Sequence, residues 1–283
     1  MGIYQKHYKK LLIIPMLILL LAIAQIGYQY ATTGDFISKS IRLKGGTTIY
    51  TEQTLNSESM ESFLTSKFPE HFFSVQKSEG GIGSIIESDL SDDRVSELKQ
   101  FIESKDVTII GAITEDAEFS ASFYRTMLIV ILVAFVLMGI VVFVSFKTPI
   151  PSIAVILSAF SDIIVTLAIF NLLDFQLLKG GLAAFLMLIG YSVDTDILLT
   201  NRVLKRKLGT VYERVKGAMS TGLKMSITTI SAVAVAYYVA IPPDIRQIMV
   251  ILLIGLVVDL MNTWIQNTGI LRWYMEKKGK RHE

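Results

Sequence analysis

The stretch GGLAAFLMLIGYSVDTDILLT, residues 180–200, is apolar enough to sit in a bilayer and yet carries two aspartates, Asp194 and Asp196. A hydrocarbon core about 30 Å thick is crossed by ~20 helical residues, so the length fits a membrane span. The charge does not fit so easily. An ionisable side chain inside a span is costly unless it faces protein or water, which makes these two residues the first candidates for function.

Five further runs of this kind stand on either side: Leu11–Tyr28, Met127–Phe146, Ile150–Leu173, Ala218–Ala240 and Ile245–Ile265. Because the 52% of hydrophobic residues collect in such runs, the 283-residue chain is expected to be an α-helical integral membrane protein with six transmembrane helices. Lys6, Lys9 and Lys10 precede the first run as they would in a signal peptide. That run leaves through Gln25, Tyr28, Gln29 and Tyr30 without a small-residue cleavage site, so it reads as a retained anchor.

The formal net charge of +2 averages two unlike parts, since residues 31–123 hold 16 of the 25 acidic residues against 8 basic ones. Fifteen Lys and Arg fall in residues 1–10, at Lys147, in 201–217 and in the tail from Arg272, while the two other short connections hold only Lys179 and Arg246. Positive residues in short loops stay on the cytoplasmic side, so both termini are expected inside and residues 31–123 outside. The expected organisation is a cytoplasmic N-terminus and first transmembrane helix at 1–30, an extracytoplasmic domain at 31–123, a five-helix bundle at 124–270 and a basic cytoplasmic tail at 271–283.

The outside segment alternates two periods. Thr47–Glu52, Phe72–Gln76, Gly83–Glu87 and Val107–Ala112 read as strands, and Ser57–Phe68 and Ser91–Ser104 as helices, with Gly80, Gly81 and Gly83 as a hairpin turn. The order β-α-β-β-α-β predicts a small α+β ferredoxin-like domain between the first and second spans. Its acidity reads as a solvated exterior ahead of a cation-binding surface.

Several classes drop out. Without cysteine there is no disulfide scaffold, thiolate nucleophile or Cys-ligated metal, and no Gly-x-x-x-x-Gly-Lys phosphate loop occurs. Asp194 and Asp259 lack the Gly-x-Gly-Asp context of an intramembrane aspartyl protease. The expectation is a protein that is not an enzyme, with no cofactor, no metal site and no nucleic-acid partner, whose surroundings are the lipid bilayer.

Ionisable residues inside the spans are Asp162, Asp194, Lys224 and Asp259, with Asp196 nearer the inner surface. At ~1.5 Å per residue, Asp194 lies about 9 Å deep, Lys224 about 11 Å, Asp259 about 12 Å and Asp162 about 18 Å. Asp194 and Lys224 at matching depth on consecutive helices are expected to form a proton-sensitive pair, a static salt bridge being the alternative. Asp194 and Asp196 stand about 200° apart on a helix, so one must point elsewhere. Asp194 is expected inward, in a stripe with Met187 and Gly190, and Asp196 toward the interface or toward Arg202 or Lys205. Ser220, Thr228 and Ser231 recur with Lys224 as a polar stripe needing a polar partner or water. Asp162 and Asp259 serve as hydrogen-bonding groups of the bundle or as secondary transport groups.

Residues 189–202, IGYSVDTDILLTNR, resemble the fourth-span signature of the SecD/SecF protein-export family, in which a Gly, an intramembrane Asp and a closing Arg recur as Gly190, Asp194 and Arg202 do here. Gly45-Gly46-Thr47 at the start of the outside domain, one span before it and five after, and Ser161-Asp162 agree with that family. The size and the Asp-Thr-Asp variant are most similar to its archaeal SecF branch. The resemblance implies half of a resistance-nodulation-division (RND) transporter core, completed as a heterodimer with SecD. It further implies coupling of the proton gradient to protein translocation at the Sec translocation channel, and an outside domain that engages translocating polypeptides. It carries over a relay role to Asp194, tuned by Lys224, although bacterial relatives have Asn-Asp-Thr where this chain has Asp194-Thr195-Asp196, which leaves Asp196 open as the functional carboxylate. The aspartate usual before the glycine pair is also missing here. The alternative is a stand-alone RND-like exporter of lipids or small molecules.

Overall fold

A computed structural model describes residues 7–77, 83–90, 94–205, 209–240 and 242–279. The expected turn residues Gly80 and Gly81, the helix start at Ser91 and several basic residues (Lys6, Arg206, Lys207, Lys280, Arg281) lie outside them. The chain divides into two compact units, one of residues 39–128 with 177–179 and one of residues 1–38, 129–176 and 180–283.

The first unit holds α3 (Ile41–Lys44), β1 (Gly46–Thr51), α4 (Ser57–Lys67), β2 (Phe73–Lys77), β3 (Ser84–Ser88), α5 (Arg94–Glu103) and β4 (Ile109–Glu115). Its sheet runs β2-β3-β1-β4 with antiparallel neighbours, the order of a ferredoxin-like sandwich. Alternation along the strands explains the register. Ile49 faces Ile86, and Ile86 faces Val75, so one row of apolar residues crosses three strands and meets Leu64 and Leu98 of the two helices. Asn56 caps α4 by accepting from the Ser59 amide, one residue before the expected start. Gly46 has φ +151°, and a Cβ there would collide with the Ser88 carbonyl oxygen, so the Gly-Gly pair opens β1 where it passes closest to β3.

A short piece from elsewhere in the chain completes this unit. The Ser40 amide donates to the Leu177 carbonyl at 3.0 Å, and Lys39 and Leu177 form a parallel bridge. Lys179 pairs with Glu115 at 2.7 Å, both side chains about four-fifths buried, and lies over the Phe119 ring.

The second unit is helical. Together the chain has six helices long and apolar enough to cross a membrane: Tyr8–Thr33, Phe119–Phe146, Pro149–Leu172, Lys179–Lys205, Val211–Val239 and Pro243–Lys277. The first comprises α1 (Tyr8–Leu11) and α2 (Ile13–Thr33), and the next four fall in α6 (Ala117–Phe146), α7 (Pro149–Leu172), α8 (Lys179–Lys205) and α9 (Val211–Val239). The sixth comprises α10 (Pro243–Met261), a π-helical turn (Asn262–Asn267) and α11 (Thr268–Gly279). The chain is a multi-pass membrane protein. Its α7, α8 and α10 are central and buried along about half their length, whereas α2, α6 and α9 expose most of theirs. Apolar clusters join α6 and α7 to α8 through Val142, Val155 and Val193, and α8 and α9 to α10 through Leu188, Val233 and Leu252.

Replacing Gly46 with Val is expected to weaken the β1–β3 pairing by about 1–3 kcal/mol, through overpacking against a backbone carbonyl. Limited proteolysis of the full chain in membranes should then cut within residues 39–128 at lower protease, with the membrane helices cut no sooner.

Candidate functional site

Polar groups buried in the helical unit gather at one place. Asp162 on α7, Asp196 on α8 and Asp259 on α10 are each almost wholly buried. Span six supplies most of their partners. Asn262 Nδ2 donates to Asp162 Oδ1 at 2.7 Å, and Asn267 Nδ2 to Asp196 Oδ1 at 2.7 Å. Thr263 Oγ1 lies 2.9 Å from Asp196 Oδ1 and 3.0 Å from Asp259 Oδ1. From α8, the Ser192 hydroxyl donates to the other oxygen of Asp162. Gln266 Nε2 donates to Ser161 Oγ at 3.1 Å, tying span six to α7 a turn away.

The π turn makes this set possible. Its widened helical turn, a feature often found at functional sites, puts Asn262, Thr263, Gln266 and Asn267 in the interior together. The break in register frees backbone carbonyls, and the Thr268 hydroxyl donates to one of them, Thr263 O, at 3.0 Å. Trp264 anchors the turn against α9 at Gly222, where any Cβ would overlap the indole.

Among the described residues no Lys or Arg pairs with any of the three carboxyls. Arg202 donates instead to Gly217 O and to Thr221 Oγ1 at 2.8 Å, closing α8 onto α9. The expected contact between Asp196 and Arg202 is therefore absent, and Asp196 lies in the bundle interior, not toward the interface. Phase decides it. Ser192, Asp196, Leu199 and Val203 recur at three- and four-residue spacing on the buried face of α8.

Asp194, about 200° away, is exposed on the surface of this chain, as are Met187 and Tyr191 on the same stripe. Gly190 has nothing within 4 Å of a Cβ position, so its expected close helix contact is not made among the described residues. Lys224 is exposed too, and no Asp194–Lys224 ion pair occurs among the described residues. Equal depth brought them to one level without turning them toward each other. Thr228 and Ser231 donate to carbonyls of their own helix, Thr228 to Lys224 O at 2.9 Å and Ser231 to Ile227 O at 2.8 Å. Thr228 and Ser231 thus meet a hydrogen-bonding need within their own helix, and Ser220 and Lys224 are exposed beside them. Among the described residues no group of three or more His, Asp or Glu is arranged to hold a metal ion. Gly45 and Gly46 belong to the other unit and shape its first strand.

Comparison with known families matches residues 94–277 to "Protein export membrane protein SecD/SecF, C-terminal". The chain belongs to the SecD/SecF protein-export family. A protein-export membrane protein SecF of Methanolacinia petrolearia is 37% identical over 277 residues, covering 96% of this chain and 95% of that one. The SecF of Pyrococcus furiosus is 36% identical over 282 residues, covering 95% and 92%. Among solved structures, SecDF of Thermus thermophilus, described as a translocon-associated membrane protein, superposes with a TM-score of 0.77 at 19% identity. That match covers 96% of this chain and 38% of the other, and it shows a shared fold. The resemblance seen at residues 189–202 thus extends over nearly the whole chain, and the six-span core with its small sheet domain is the family's.

The π-turn sequence Asn262-Thr-Trp-Ile-Gln-Asn267 puts four polar side chains within one span, and beyond Asn262 this signal is one that the sequence reading did not use. Replacing Asn262 with Leu strips Asp162 of a donor and is expected to cost about 1–3 kcal/mol. The thermal midpoint in detergent should fall, and adding Asp162→Leu to the same chain should restore part of the loss.

Proposed function

We propose that the chain is a SecF-type subunit of the Sec export machinery, paired with SecD, and that its buried carboxyls respond to the proton gradient that promotes protein translocation. The carrying observation is the cluster itself: three carboxyls from three spans, bonded to hydroxyls, amides and one another, with no cation paired to them among the described residues. A salt-bridged cluster would hold its charge fixed. One without cations is electrically expensive whenever it ionises, so its proton content and the packing of α7, α8 and α10 depend on each other.

On this reading Asp196 takes the relay role that the family resemblance gave to Asp194. Asp194 and Lys224 take another. Both are exposed on faces of α8 and α9 left open by this chain, and a charge facing acyl chains is costly. A second six-span subunit, SecD, removes that cost by covering them, and the open flank at Gly190 gives it room for close helix packing. Positive residues in the short loops favour cytoplasmic termini and an extracytoplasmic sheet domain, placed to meet chains leaving the Sec channel.

Asp196→Asn keeps the shape of the site and removes its titration. It is expected to abolish gradient-dependent export in a reconstituted system while SecD and Sec-channel subunits still co-purify. Asp194→Leu with Lys224→Leu is expected to reduce recovery of SecD instead. Normal export by Asp196→Asn sinks the relay, and purification as a homo-oligomer without SecD points to a stand-alone exporter.

A further inference from the structure

Thr263 is placed where one hydrogen must serve two contacts. Its Oγ1 is 2.9 Å from Asp196 Oδ1 and 3.0 Å from Asp259 Oδ1, both within hydrogen-bond range. A hydroxyl has a single hydrogen to donate. Were both carboxyls ionised, one of those contacts would set lone pairs against lone pairs in a dry interior. Both are satisfied when one carboxyl carries a proton and donates it to Thr263, while Thr263 donates to the other.

Donor counts say which one. Asp196 accepts from Asn267 as well as Thr263, and Asp162 accepts from Ser192 and Asn262. Asp259 has no amide: beside the Asp162 carboxyl it meets only the hydroxyls of Thr263 and Ser192, each of which also serves another carboxyl. An ionised carboxylate is held by donors, and Asp259 has none of its own. α7 presents Asp162 with Ser158 and Ser161, α8 presents Asp196 with Ser192, and span six presents Asp259 with its amides and hydroxyl. Among the described residues none of them presents a basic group to it.

We infer that Asp259 holds a resting proton, and that Thr263 is the hydroxyl through which this proton passes to Asp196. The step balances without a co-reactant. The Asp259 O–H bond breaks as the proton joins Thr263 Oγ1, and the original Thr263 O–H bond breaks as its hydrogen joins Asp196 Oδ1. One proton has then moved from span six to span four, Thr263 is again a neutral hydroxyl, and no heavy atom needs to travel. The π turn serves this directly: Thr263 sits four residues after Asp259, on the same helical side, and the turn's wider register brings Asn267 to Asp196 as well.

The inference rests on the proposed relay, and its test is chosen to fail separately. Infrared spectra of the purified full chain at neutral pH should contain the carbonyl stretch of a protonated carboxyl. Asp259→Asn should remove it and Asp196→Asn should keep it. Thr263→Val should shift it, because the hydrogen bond is lost, while Thr263→Ser should leave it in place. In reconstituted export with SecD, Thr263→Val is expected to slow gradient-driven translocation at least about tenfold, the scale of one lost hydrogen bond to a charged group, and Thr263→Ser to restore it. Absence of the band, or its survival in Asp259→Asn, overturns the shared proton even if Asp196→Asn blocks export. If the band behaves as described and Asp196→Asn exports normally, the bridge stands and the coupling to export falls.

Discussion

Keeping three carboxyls inside a membrane bundle is the constraint on which the helical unit depends. An uncompensated carboxylate in low dielectric costs more than most single packing interactions return. The compensation comes from amides and hydroxyls, and nearly all of it comes from one six-residue turn. That turn has to be π-helical to present its polar residues together, has to be wedged by Trp264, and requires Gly222 opposite. The central position of α7, α8 and α10 follows, because those are the elements that bring the carboxyls.

How much of this could be read in advance differs by element. The strands were legible to within one to three residues, because alternation along a half-buried strand reports directly which side faces the core. Ile49, Val75 and Ile86 sit where period two puts them. The spans were legible from length alone, though each helix outruns its apolar stretch at one end or both. The family was legible at Gly190, Asp194 and Arg202. The site was legible in composition and misread in phase. Asp162, Asp196 and Asp259 were all marked as intramembrane charges, but depth was allowed to choose the partners. Depth is one coordinate of a helical residue and angle is the other. Asp194 and Lys224 agree in the first, whereas the buried cluster is defined by the second. Counting from Ser192 to Asp196 to Val203 would have turned α8 correctly. The π turn was beyond such counting, since a one-residue change in backbone register leaves no mark on a 3.6-residue period.

The surface of the helical unit is uneven in a way that the interior explains. The three clustered carboxyls of the bundle are inside, each with partners from this same chain. Polar residues outside that set, Asp194 and Lys224 above all, remain on flanks where Gly190 leaves space.

The ion pair of Lys179 with Glu115 has a mechanical side. Lys179 is the first residue of α8 and is held by Glu115, while Asp196 lies seventeen residues further along the same unbroken helix, a lever of ~26 Å. A tilt of about 5° about the fastened end would carry the carboxyl ~2 Å, several times the roughly 0.5 Å over which a hydrogen bond keeps its strength. A tilt of α8 against span six would therefore be felt at Asp196 as the making or breaking of single bonds.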